Sequence, residues 1–102
     1  MKPMLMLLAG LVLAAPAARA EPPAAMVKAG CMACHMVDKK LVGPPYQQVA
    51  AKYKGQNAAA QLAEKVRTGG KGVYGPIPMS PNGPDKISDA DLHAAVEWIL
   101  KQ

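Results

Sequence analysis

Phenylalanine is absent from this sequence, and the large aromatic side chains reduce to Tyr46, Tyr53, Tyr74 and Trp98. Much of the apolar fraction is alanine, which fills little volume. A small chain of this kind buries little apolar surface and usually needs a staple. Cysteine is as scarce: Cys31 and Cys34 are the only two. Their number excludes a disulfide-dense scaffold, and a bridge closing so short a loop would constrain the unfolded chain only slightly. A core short of bulk and of cross-links is one that a large flat apolar cofactor would complete. No segment shows the alternation of a half-buried strand. No apolar run reaches the roughly 20 residues that span a bilayer. The basic residues form no stripe interleaved with aromatics, which argues against nucleic acid as a partner. There is no internal repeat.

What is present begins with an export signal. Lys2 gives a positive start, an apolar run follows from Met4 to Ala15, and Ala18-Arg19-Ala20 closes the segment with small residues. Residues 1–20 are therefore expected to be a secretory signal peptide, cleaved after Ala20, with a single domain over 21–102. No cysteine sits near that site, which argues against a lipid-anchored start. With Lys2 and Arg19 removed, ten of the 12 basic side chains face 7 acidic ones, a balance of +3. Scattered lysines read first as a solvated surface, and second as a docking face for an acidic protein.

Helix signals recur along the rest. Pro22-Pro23 suits the start of a short helix from about Ala24 to Gly30. Gly43-Pro44-Pro45 cannot continue a helix. Tyr46, Val49/Ala50 and Tyr53 have the spacing of a helical face, ended by Gly55. Asn57 reads as the N-cap of a third helix containing Leu62 and Val66, ended by Gly69-Gly70. Residues 69–84, "GGKGVYGPIPMSPNGP", hold five glycines and four prolines, too many for a helix or central strand. Four prolines stiffen the backbone, so this is expected to be a held loop rather than a floppy one. Ser88 with Asp91 resembles a capping box. Leu92, Ala95, Val96 and Ile99 then make one apolar stripe, with Trp98 at its edge and Lys101 suited to the C-terminal dipole. The expected architecture is all-α, with three to four short helices and one stiff loop.

"CMACH", Cys31 to His35, allows three readings. A redox dithiol sits near a βαβ pattern, usually at a helix start, and this chain lacks the strands. A zinc site wants four ligands, commonly as two close pairs. Here the remaining candidate is His93, which falls off the apolar stripe at i−4 from Glu97. C-x-x-C-H is the haem attachment signature. Each thiol adds across one of two vinyl groups on neighbouring porphyrin edges, and the next residue places an imidazole under the iron. Export, an all-α pattern and a bulk-poor core favour this third reading.

The other face of the iron decides between electron transfer and catalysis. Met32 and Met36 are too close to His35 to reach it, and Met26 reads as packing. Downstream stand Met79, between Pro78 and Pro81 in the stiff loop, and His93. Prolines hold a ligand at fixed reach with little entropic cost, which favours Met79. His93 or an empty position are the alternatives. Histidine with methionine fills both axial sites and raises the potential, as suits a carrier with small reorganisation.

"GCMACH", "VGPPY", "GVYGPIPMSPN" and "AVEWIL" together resemble class I c-type cytochromes, of the short bacterial periplasmic c-551 type. The resemblance runs in order through residues 21–102. It implies a small cytochrome c fold wrapped around one covalently bound haem c, with the N- and C-terminal helices crossing, Gly30 allowing close approach and Trp98 packing there. It implies attachment through Cys31 and Cys34, with His35 and Met79 as axial ligands. The Pro44 carbonyl would accept from the His35 ring, and Asn82 would donate toward the Met79 sulfur. Tyr74 stands where relatives often carry tryptophan reaching a haem propionate, and Lys65 matches a basic position near the propionates. Met26 stands where relatives commonly have an aromatic. The implied function is one-electron transfer in the periplasm by a monomeric protein that is not an enzyme. Its implied partners are redox proteins such as a nitrite reductase, a terminal oxidase or a quinol-oxidising complex. A haem enzyme or sensor with a labile Met79, and a redox module tethered to a larger complex, are the competing readings.

Overall fold

The last helix organises the molecule. In the computed structural model, which describes Gly10 and residues 21–102, five helical segments follow in order. They are α1 (Ala24–Lys28), α2 (Cys31–Cys34), α3 (Tyr46–Lys52), α4 (Ala59–Thr68) and α5 (Asp89–Leu100). Apart from Gly10, the expected signal peptide lies outside the described residues, as does Ala20 at its expected cleavage site. α5 touches α1, α3 and α4, so the first and last helices pack together. Ser88 starts it: its Oγ accepts from the Asp91 N–H at 3.2 Å. The stripe read from the sequence is the buried face, with Leu92, Ala95, Val96, Trp98 and Ile99 all buried.

Met26 from α1 is fully buried against this stripe, and Tyr46 and Val49 of α3 complete the cluster with Ile87. Burial of a side chain of this size stabilises by roughly 1.5–3 kcal/mol relative to exposure. Trp98 packs edge-on to Tyr46, with ring centroids 5.6 Å apart and planes at 84°.

Three local expectations need correction. α1 stops at Lys28, and Cys31–Cys34 forms a helical turn of its own, which raises the count to five. Gly30 sits between them at φ 85°, left-handed backbone that favours glycine. A Cβ there would meet nothing within 4 Å, so its role is the turn between two helices rather than close approach. α4 is capped by Ala58, which is buried, and not by Asn57. Among the described residues the β-type pairing is a single isolated antiparallel bridge between Gly70 and Met79.

Candidate functional site

The segment Cys31–His35 is built as one tight turn followed by an abrupt exit. The Ala33 N–H donates to the Gly30 carbonyl at 3.1 Å, and the His35 N–H to the Cys31 carbonyl at 3.0 Å. His35 then leaves in extended backbone at φ −124°, ψ 144°. The chain folds back so that the Gly43 N–H reaches the Cys34 carbonyl at 2.8 Å. This return brings Gly43 and Pro44 against the His35 ring. Nδ1–H donates to the Pro44 carbonyl at 2.8 Å, which fixes the tautomer and leaves Nε2 with its lone pair. A Cβ on Gly43 would overlap Cε1 and come within 2.8 Å of Nδ1 and 2.9 Å of Nε2. Tyr46 stacks on the same imidazole at 5.0 Å and 17°. The ring is thus held by a hydrogen bond, a bare backbone and an aromatic face. Burial pushes the Cys31 thiol above its usual pKa. Burial does the same for the Tyr46 hydroxyl and keeps it neutral.

The loop that carries Met79 is fastened where it leaves and rejoins α4. Gly69 caps the helix at φ 70°, and a Cβ there would overlap the Met79 carbonyl. The Met79 N–H donates to Gly70 at 2.7 Å, and the Gly70 N–H returns a bond to Met79 at 3.1 Å. Three residues on, the Asn82 N–H donates to the Val66 carbonyl at 3.0 Å. The Asn82 side-chain amide donates to the Ser80 carbonyl at 3.0 Å and to Val66 at 3.4 Å. In this structure its bonds therefore set the return path of the loop. The loop is held, as its prolines led us to expect.

The two segments meet across a cavity of about 360 Å³. All eight predicted site residues line it: Cys31, Cys34, His35, Pro44, Lys65, Tyr74, Met79 and Asn82. Its remaining walls are mainly apolar, from Met26, Val49, Leu62, Val66, Leu92, Val96 and Ile99 among others. His93 lies elsewhere, on the solvent face of α5, with Nε2 3.4 Å from Glu97. Two features fit this cavity to a flat apolar group with acidic substituents. The Tyr74 hydroxyl is buried with no hydrogen-bond partner, and burial raises its pKa so that it stays a donor. Lys65 brings a cation to the wall, its Nζ 2.8 Å from where a Gly70 Cβ would stand. Lys52 Nζ lies 5.6 Å from the Tyr74 ring centroid and 5.9 Å from that of Tyr53, bracing the loop against α3.

Gly43 and Arg67 matter here and escaped the sequence reading. Gly43 read as a helix breaker, whereas the space under His35 is what requires it. Arg67, the single arginine after residue 20, lies behind the cavity wall and donates to the Asn82 carbonyl at 3.2 Å where the Met79 loop returns.

The family model for cytochrome c matches residues 20–102. The chain is 47% identical to cytochrome c-551 of Pseudomonas aeruginosa over 106 residues, covering 100% of this chain and 99% of that one. It is 51% identical to cytochrome c2 of Rubrivivax gelatinosus over 83 residues, 80% of this chain and 98% of the other. The crystal structure of Nitrosomonas europaea cytochrome c552 superposes with a TM-score of 0.70 at 46% identity, covering 76% of this chain and 95% of that one. Sequence, fold and cavity agree: the chain belongs to the cytochrome c family, electron carriers rather than enzymes, and holds one haem c through its cysteine pair, Cys31 and Cys34.

Proposed function

We propose that the protein is a periplasmic one-electron carrier in which His35 and Met79 take the two axial positions of the haem iron. The observation that carries this reading is that both side chains line one apolar cavity, each on backbone fastened by its own hydrogen bonds. When bound, haem c supplies an iron that alternates between ferrous and ferric states. His35 offers Nε2 from a ring oriented by Pro44 and seated on Gly43. Met79 offers a soft sulfur from a pinned loop, which favours the reduced state and raises the potential. Two pinned ligands leave little to rearrange when the charge changes. Tyr74 and Lys65 supply a hydrogen-bond donor and a cation for the propionates. Asn82 acts on Met79 through the loop's return path, its side-chain amide donating to Ser80 and Val66 rather than to the sulfur.

Periplasmic placement rests on the leader pattern of Lys2, Met4 to Ala15 and Ala18-Arg19-Ala20. The partners of this reading are respiratory redox complexes, met by a monomer that diffuses between them. Among the described residues no helix is long and apolar enough to cross a membrane. The test is carbon monoxide added to the reduced protein at neutral pH. With both axial sites filled by protein, binding is slow and incomplete. Rapid stoichiometric binding would contradict the carrier reading and favour a sensor or enzyme with a labile Met79.

A further inference from the structure

We propose that Arg67 is a positioning residue that sets how firmly Met79 is held at the iron, an inference that rests on the reading of Met79 as a ligand. Arg67 stands in the last turn of α4, with a side chain 19% exposed. Its Nη1 donates to the Asn82 carbonyl at 3.2 Å and to the Ile87 carbonyl at 2.7 Å. Its Nη2 donates to Asp89 Oδ1 at 2.6 Å. The three acceptors belong to the return of the Met79 loop, to a buried core residue and to the first turn of α5. One planar group thus ties the loop to the frame.

The position of these contacts gives them their effect. Met79 is anchored upstream by its pair of bonds to Gly70. Downstream, the first fixed point is Asn82, whose N–H meets Val66 and whose carbonyl meets Arg67. Asn82 is therefore clasped from both sides by adjacent residues of α4. Without the guanidinium, two half-buried carbonyls lose a charged donor, and the downstream half of the loop is left with the Asn82 bonds to Val66 and Ser80 and the bonds that the Gly83 carbonyl accepts from Lys86 and Ile87. A lysine reaches one acceptor at a time and cannot replace the fork. Asp89 is 93% exposed, so its ion pair contributes little, and the carbonyl contacts carry the effect.

The test measures imidazole affinity of the ferric holoprotein, followed through loss of the far-red band that iron–sulfur bonding produces. Imidazole enters only when Met79 leaves, so its apparent affinity reports the hold on the sulfur. Arg67→Met is expected to raise it by about tenfold, the size of one lost charge-assisted hydrogen bond. Arg67→Lys, which also serves should Arg67→Met not fold, is expected to raise it by about threefold, between wild type and the full loss. Asp89→Asn is expected to stay near wild type. Leu100→Ala is the control for global stability: Leu100 packs on the core but is not among the residues lining the haem cavity. It should lower the unfolding midpoint and leave imidazole affinity unchanged. Wild-type affinity in both Arg67 variants overturns the proposal while leaving Met79 as ligand. So does a rise in Leu100→Ala equal to that in Arg67→Met. Absence of the far-red band from the wild-type ferric protein overturns both the proposal and the ligand reading beneath it.

Discussion

At the scale of single residues, the site is shaped by what is left out as well as by what is present. His35 needs room on one side and an acceptor on the other, and Gly43-Pro44 supplies both in two consecutive positions. Gly43→Ala is expected to push the ring off the Pro44 carbonyl, at a cost of about 1–3 kcal/mol for overpacking. Urea denaturation of the ferric holoprotein reads this as a lowered midpoint; an unchanged midpoint would show that the ring is free to move aside. The residues proposed to touch the haem were legible because thiol, imidazole and thioether each have few alternative uses. Gly43 was not, because a glycine before proline already has a sufficient local explanation as a helix breaker. Arg67 was not, because its acceptors lie 15, 20 and 22 residues away, and no local pattern encodes so long a reach.

At the scale of elements, α5 was read correctly down to its cap because every local signal agreed: Ser88 at the N-cap, a continuous apolar stripe and a lysine at the end. Ser88→Ala is expected to destabilise the holoprotein by about 1 kcal/mol while leaving the far-red band unchanged. Thermal or urea unfolding together with the ferric spectrum checks both halves; a stability equal to wild type would mean the cap bond is replaced by water. The shorter helices were less legible. Asn57 has the better capping chemistry, yet Ala58 takes the position because it is buried, and tertiary packing overrides a side-chain cap. The turn at Cys31–Cys34 carries no apolar periodicity of its own. It is set by the left-handed backbone at Gly30 and by the return of the chain from Gly43 to Cys34.

At the scale of the whole molecule, the scarcity of large side chains and the apolar cavity are one fact. The core cluster of α1, α3 and α5 forms one wall of a space that its own residues do not fill, and Met26, Val96 and Ile99 belong both to the core and to the lining. The two halves of the site come from opposite ends of the α3–α4 region and meet only in the folded chain. In the proposed reading "CMACH" supplies attachment and one axial ligand, and the loop after α4 supplies the other. The measurement that tests this pairing most directly is the reduction potential of Met79→His beside the wild type, with haem attachment checked on the same samples. Replacing the thioether by imidazole is predicted to lower the potential clearly while the haem stays covalently bound. A potential equal to that of the wild type, with haem retained, would show that Met79 is not the iron's second ligand.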